Sequence, residues 1–345
     1  MIRFNNDYCH GAHPRVLQAL ATTNDESYPG YGQDEWCERA GAAIRAHLGG
    51  SDAPISFLVG GTQANVTMIA HALRPWQSVV SADAGHINVH ETGACEHIGH
   101  KIEAVPNIDG KLTATQVEAI ARGWRESTVP EHVTQPKMVY LSFPSESGSI
   151  YSLTELEALR AVCDEYGLFL FVDGARMGYG LGADGCDVTL ADFARLTDAF
   201  WIGGTKCGAL FGEAMVLVNP ALREGFRSSI KQGGGLLAKG WLLGLQFATL
   251  FEDGLYFDIC RKADEQALRL RQGFAGAGIP LHGVSPTNQQ FVELTSAQAA
   301  ALAQKYAFEF EGFLPDGRQI ARFCTSWATT DAEVEELIAD VQRLG

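Results

Sequence analysis

A lysine set among small residues at the end of an apolar run is the first chemical feature to weigh. In Ile202-Gly203-Gly204-Thr205-Lys206-Cys207-Gly208-Ala209 the ammonium is poorly placed for a surface ion pair. A partly desolvated Lys has a lowered pKa and can form a Schiff base; a solvated loop Lys is the plainer alternative. Upstream, Phe171-Val172-Asp173-Gly174-Ala175-Arg176 ends a second apolar run in an acid. At the carboxyl edge of a sheet, such an Asp can hold a protonated heterocyclic nitrogen, and Arg176 can clamp a carboxylate bidentately. The competing reading has Asp173 capping the next helix and paired with Arg176. A third motif, Val59-Gly60-Gly61-Thr62-Gln63-Ala64-Asn65, precedes apolar residues at helical spacing (Val66, Ile69, Ala70, Leu73). Small residues there let the amides of a helix N-terminus approach a phosphate. The glycine spacing matches neither a Walker loop nor a dinucleotide fingerprint, and Thr62 as a simple helix cap is the alternative.

The stretch holding His86, His90, Glu91, Cys95, Glu96, His97 and His100 offers pairs four residues apart, a spacing that zinc sites use. It contains two glycines and no complete His-Glu-x-x-His. One functional ring among surface histidines is therefore preferred to a metal site, and no metal is expected. Cys207 has no evident base beside it and reads as a packing thiol.

The order of these motifs is more informative than any one of them. An anion turn near Gly61, a ring at His86, an acid at Asp173 and an amine at Lys206 are what pyridoxal phosphate needs. They serve as phosphate cradle, stacking partner, carboxylate for the pyridinium nitrogen and Schiff-base amine.

The elements that must position them recur along the chain. Short β-rich runs (Val79–Ser81, Met138–Ser142, Leu168–Val172, Ala199–Ile202) alternate with helical patterns. In one of these, Thr154–Tyr166, Leu156, Leu159, Val162 and Cys163 share a face and Ser152-Leu153-Thr154-Glu155 offers a cap. The alternation predicts a mostly parallel α/β sheet covered on both faces, with the 38 glycines clustered in loops at strand ends. From about Lys239 the texture shifts. A long helical stretch over Lys239–Phe251 that continues through Ile259–Gly273 is followed by strand-like Phe291–Leu294 and Ile320–Cys324 and a terminal helix over Asp331–Leu344. This predicts a smaller α+β domain, with Gly233-Gly234-Gly235 near its boundary.

Composition narrows the partners. The 345 residues hold 26 Lys and Arg against 41 Asp and Glu, a net charge of −15, which disfavours nucleic acid. No apolar run nears the roughly 20 residues of a membrane span, and the N-terminus is too polar for a signal peptide. Eight scattered cysteines without a Cys-x-x-Cys pair read as reduced thiols of a cytoplasmic protein.

Taken together, the chain resembles the threonine aldolase and β-eliminating lyase group of the fold-type-I pyridoxal phosphate enzymes. The resemblance runs from Phe4-Asn5-Asn6-Asp7 and Gly11-Ala12-His13-Pro14 to Arg322-Phe323-Cys324-Thr325-Ser326-Trp327. It is most specific at Gly60–Asn65, Gly85-His86-Ile87, Asp173–Arg176 and Thr205-Lys206. It implies a seven-stranded, mostly parallel sheet in a large cofactor-binding domain (26–238), a smaller C-terminal domain (239–345), and an N-terminal segment (1–25) packing near the active site. It also implies roles. Lys206 is the Schiff-base lysine and Asp173 the partner of the pyridine nitrogen. His86 stacks on the ring near the substrate hydroxyl. Gly61 and Thr62 hold the cofactor's phosphate and Gln63 and Thr205 are further cofactor-binding residues, while Arg176 and Arg322 bind the substrate carboxylate, Arg176 beside the cofactor. Tyr31 is expected to reach into the neighbouring subunit's substrate site, and Lys231 and Lys239 to stand as basic cofactor-binding residues near the phosphate across the subunit boundary, implying a homodimer or a homotetramer. Two positions depart from the family pattern. Asn6 stands where a Ser helps hold the substrate carboxylate, and Glu146 where many members place a second His; Glu146 could act as a base or hold a water. Both bear on substrate more than on cofactor. The implied activity is cleavage of a β-hydroxy-α-amino acid (L-threonine, L-allo-threonine or a phenylserine-like compound) to glycine and an aldehyde. Elimination, transamination and racemisation are alternatives at the same site, and a metal-binding protein built on residues 86–100 is the non-enzymatic one.

Overall fold

The computed structural model describes residues 1–344. Its centre is a seven-stranded sheet of β2 (Ile55–Leu58), β3 (Gln77–Ala82), β4 (Ile102–Val105), β5 (Gln135–Ser142), β6 (Phe169–Asp173), β7 (Ala199–Gly203) and β8 (Glu213–Leu217). The strand order is β2-β8-β7-β6-β5-β3-β4. Strands β3 to β7 pair in parallel, and β8 is antiparallel to both of its neighbours. The sheet is buried on both sides, which explains why its strands read as continuous apolar runs. Alternate side chains serve two separate cores: Val80, Val139, Val172, Phe200 and Ile202 on one face, Val79, Met138, Phe171 and Trp201 on the other.

The remaining strands are β1 (Ile2–Arg3), β9 (Gln289–Leu294), β10 (Tyr306–Ala307), β11 (Glu309–Phe313) and β12 (Gln319–Cys324). Strands β11-β12-β9 form an antiparallel sheet, and β1 pairs in parallel with β10. A third core lies here, built on Phe274, Val292, Phe323 and Leu337, with Phe4 of the N-terminal segment inserted into it.

The expected helix over Thr154–Tyr166 is present as Leu153–Tyr166. Ser152 accepts from the Glu155 amide, and the Glu155 carboxylate accepts in return from the Ser152 amide. The long C-terminal helical pattern is two helices, Trp241–Phe251 and Leu255–Gly276, because Asp253 and Gly254 turn left-handed between them (φ 55° and 74°). The first of these packs on the large core through Phe247, Leu250 and Phe251, and the third core begins only at Leu270. The division between cores therefore falls inside the second helix, well after Gly233–Gly235.

Candidate active site

The carboxyl ends of the parallel strands converge on a cavity of about 510 Å³, the place where α/β sheets receive ligands. Asp173, the last residue of β6, forms part of its wall and is 4% exposed. Its Oδ2 accepts from Tyr140 Oη at 2.6 Å and Asn65 Nδ2 at 2.8 Å, and its Oδ1 from the Ala175 amide at 2.9 Å. Burial first, then the Asp173 carboxylate, pushes the Tyr140 phenol well above its usual range, so it stays a donor. Asn65 also donates to Glu91 Oε1 (2.9 Å) and accepts from Trp201 Nε1 (3.1 Å). Glu91 Oε1 accepts in turn from His86 Nδ1 at 2.8 Å. One buried chain of hydrogen bonds therefore links the histidine ring to the strand-end acid.

His86 opens a short helix just after β3, with its second ring nitrogen left over after the Glu91 bond. Burial opposes its charged form, but Glu91, Asp173 and Glu146 outweigh that and raise its pKa. Lys206 enters from the loop after β7. The Gly204 and Thr205 amides both donate to the Gly212 carbonyl, and Tyr179 Oη donates to the Lys206 carbonyl at 2.7 Å. The chain passes so close to its neighbour that a Cβ on Gly203 would lie 2.3 Å from the Ala175 carbonyl oxygen. Across the cavity, the helix Gly61–Ala72 starts from Gly60 in extended conformation, with no side chain capping it among the described residues. Its first-turn amides are thus left for a ligand. Thr62 is the second helical residue and not the cap, since Gly60 already occupies that position.

The family model for beta-eliminating lyases matches residues 13–297. The chain belongs to that family. It is 31% identical to the low specificity L-threonine aldolase of Pseudomonas sp. (strain NCIMB 10558), over 99% of this chain and 97% of the relative. The solved structure of Leishmania major threonine aldolase superposes with a TM-score of 0.97 at 42% identity, covering 100% of this chain and 99% of that one. Serine palmitoyltransferase of Sphingomonas wittichii shares the fold, with a TM-score of 0.75 at 18% identity and coverage of 100% and 87%. The architecture is that of the fold-type-I pyridoxal phosphate enzymes.

In this family member the cavity brings together Gly61, Thr62, His86, Glu146, Asp173, Arg176, Thr205, Lys206 and Arg322. Several placements differ from the sequence expectation. Arg176 is not paired with Asp173; its Nε and Nη2 donate to the two oxygens of Asp7 at 2.7 and 3.0 Å, so one edge of the guanidinium is already used. Arg322 lies 3.1 Å from Glu311 and donates to the Asn5 carbonyl. Glu146 Oε1 accepts from Ser142 Oγ at 3.2 Å. Among the described residues, Asn6, Gln63, Tyr31, Lys231 and Lys239 do not line this cavity. Asn6 Oδ1 accepts from the Tyr8 amide and the Cys9 thiol. Gln63 braces the turn before the helix Gly61–Ala72, accepting from the Val59 amide and donating to the Gly233 carbonyl. Tyr31 stands half exposed with the Lys231 ammonium 4.8 Å from its ring centre. In the histidine-rich stretch, no three His, Cys, Asp or Glu side chains are grouped as metal ligands among the described residues.

Sequence reasoning missed Asp7, Asn65, Tyr140, Glu91, Trp201 and Glu213. Two of them sat inside motifs already singled out (Asn65, Asp7), and Glu91 inside the histidine-rich stretch. Glu213 had a signal too: an acid opening the apolar run Ala214–Leu217.

Proposed function

We propose that this chain is a pyridoxal phosphate-dependent lyase that cleaves a threonine-type β-hydroxy-α-amino acid into glycine and an aldehyde. The observation that carries this reading is the meeting, in one cavity, of Lys206, a strand-end Asp173 fixed by three donors and an uncapped helix start. It occurs in a chain alike over nearly its whole length to a low specificity L-threonine aldolase.

The residues fit the cofactor chemically. Lys206 would hold its aldehyde carbon, Asp173 its ring nitrogen, the Gly61–Thr62 turn its phosphate and His86 the face of its ring. Bound there, pyridoxal phosphate supplies an electron-poor ring that takes up the electron pair left at the substrate's Cα. The chain's own residues do the rest. His86 Nδ1 is committed to Glu91, so Nε2 is the nitrogen free to accept the β-hydroxyl proton. The raised pKa makes the ring a stronger base and lets the buried Glu91 carboxylate share the charge it gains. Arg322, held by Glu311 and the Asn5 carbonyl, and the edge of Arg176 not used by Asp7 line the same cavity and would take the substrate carboxylate. Glu146 lines the same cavity, so L-threonine, L-allo-threonine and phenylserine-like compounds should differ in their response to its replacement.

Tyr31 and Lys231, stacked outside this chain's own cavity, support an oligomer in which they serve a neighbouring site. Eight cysteines, none paired among the described residues, suit a reducing cytoplasmic compartment.

The test is product analysis with L-threonine, combined with borohydride reduction of the purified protein. Equal amounts of glycine and acetaldehyde, with the cofactor trapped on Lys206 and lost in Lys206→Ala, are expected. A keto acid with ammonia, or a D-amino acid, would replace this reading with elimination or racemisation.

A further inference from the structure

Glu213 forms part of the cavity wall, 3% exposed, and has no part in the chemistry derived above. It opens β8, paired with Gly203 of β7 on one side and Leu58 of β2 on the other. Its Oε2 accepts from the Gly204 amide at 3.1 Å, and its Oε1 lies 2.7 Å from Thr205 Oγ1. Thr205 Oγ1 accepts in addition from the Gly212 amide at 3.1 Å. A hydroxyl has one proton and two acceptor positions. When Glu213 is ionised, the single proton of Thr205 points at the carboxylate and none is left for a ligand. When Glu213 is protonated, the same short contact runs in reverse: the acid donates to Thr205 Oγ1, and the threonine proton turns toward the cavity.

We propose that Glu213 is a positioning residue for the anionic end of the ligand, turning the Thr205 hydroxyl outward as a donor to the phosphate by holding its own proton. The inference rests on the reading that pyridoxal phosphate occupies this cavity. The exchange balances simply. One solvent proton is taken up by the carboxylate as the anion enters, and only O–H bonds are rearranged. The surroundings favour the neutral acid. Burial raises its pKa, while the Thr205 and Gly204 hydrogen bonds and the Lys206 charge oppose this and Asp173 reinforces it, leaving a value of about 8. The neighbours that β2 and the helix Trp241–Phe251 bring to this corner are apolar: Leu58 beside Glu213, and Leu243 and Phe247 against Gly212 and Gly204. A neutral Glu213 also spares an incoming phosphate from facing a buried like charge.

The full-length protein, freed of cofactor, is titrated with pyridoxal phosphate and separately with pyridoxal, which lacks the phosphate. Glu213→Gln fixes the outward arrangement, since its amide donates to Thr205 and its carbonyl accepts from Gly204. Relative to that variant, wild-type affinity for pyridoxal phosphate should fall about 30-fold between about pH 7 and pH 9.5, the change expected when only the protonated site binds. The same ratio for pyridoxal should stay flat. Calorimetry in buffers of different ionisation enthalpy needs no variant. At about pH 8.5 the wild type should take up roughly three quarters of a proton more with pyridoxal phosphate than with pyridoxal. A pH-independent ratio, or equal uptake for the two ligands, overturns the role of Glu213 and leaves the cofactor reading standing. A wild type that binds no pyridoxal phosphate at any pH overturns both.

Discussion

Replacing Asp7 by Asn changes one charge and little volume, at a point where the N-terminal segment meets the wall of the active site. Three donors converge on the Asp7 carboxylate: Arg176 Nε at 2.7 Å, Arg176 Nη2 at 3.0 Å and Asn288 Nδ2 at 2.9 Å. The Asp7 side chain is 0% exposed and the Arg176 side chain 10%. An amide has only one oxygen to offer, so its NH2 group must face another donor, and the guanidinium stays buried without its counter-charge. Breaking a buried pair in this way costs about 3–5 kcal/mol. Denaturant unfolding of Asp7→Asn at neutral pH should show a loss of that size. The double variant Asp7→Leu/Arg176→Met removes both charges together and should regain most of the stability, because an apolar pair of similar volume is nearly neutral in exchange. It should not regain turnover, since Arg176 is gone from the site. Acid supplies an independent check. Burial pushes the Asp7 carboxyl up, but Arg176, Lys206 and the hydrogen bonds from Arg176 and Asn288 outweigh it and hold the group below its ordinary range. A carboxylate lowered in this way contributes stability above its unfolded pKa of about 3.9 and loses it as pH falls through the folded value. The gap between wild type and Asp7→Asn should therefore narrow below about pH 4. A single-variant loss under about 1 kcal/mol, or a double variant no more stable than the single, would refute the claim that this ion pair holds the segment in place.

Three further outcomes follow from the same geometry. A Cβ on Gly61 would stand 2.9 Å from Trp201 Cη2, so Gly61→Ala should destabilise the protein by about 1–3 kcal/mol in denaturant unfolding and weaken cofactor binding as the turn shifts. With the His86 pKa raised, the protonated ring adds stability that is complete below about pH 6.5 and lost as pH rises through the folded value. As a base, the ring must instead be neutral, so kcat/KM should fall on the acid side; Glu91→Gln should move that limb to lower pH, and an unmoved limb would detach Glu91 from the base. Ser152→Ala should lower stability by about 1 kcal/mol through loss of the helix cap and leave kcat/KM unchanged, since the capping box lies outside the cavity wall.

Much of this protein is written locally. The parallel strands are legible because burial on both faces demands uninterrupted apolar runs, and the Leu153–Tyr166 helix because its cap and its apolar face lie within one short window. Lys206, Asp173 and the Gly61 turn are legible for the same reason: each sits at a strand or helix end, where backbone geometry and residue type already state a purpose. Tertiary structure alone decided which side chains meet. Arg176 could be read as a partner of Asp173 or of a substrate; the fold gives it Asp7, 169 positions away in the chain. Asn65 becomes the junction between Glu91, Asp173 and Trp201 only when the helix after β2 is laid against β6 and β7. Glu213 looks like an ordinary acid at the start of a strand until pairing with β7 places it under Thr205. Hydrogen bonds are short and directional, so their partners depend on angstrom-scale placement that no spacing along the chain encodes, whereas burial and capping depend on neighbours a few residues away.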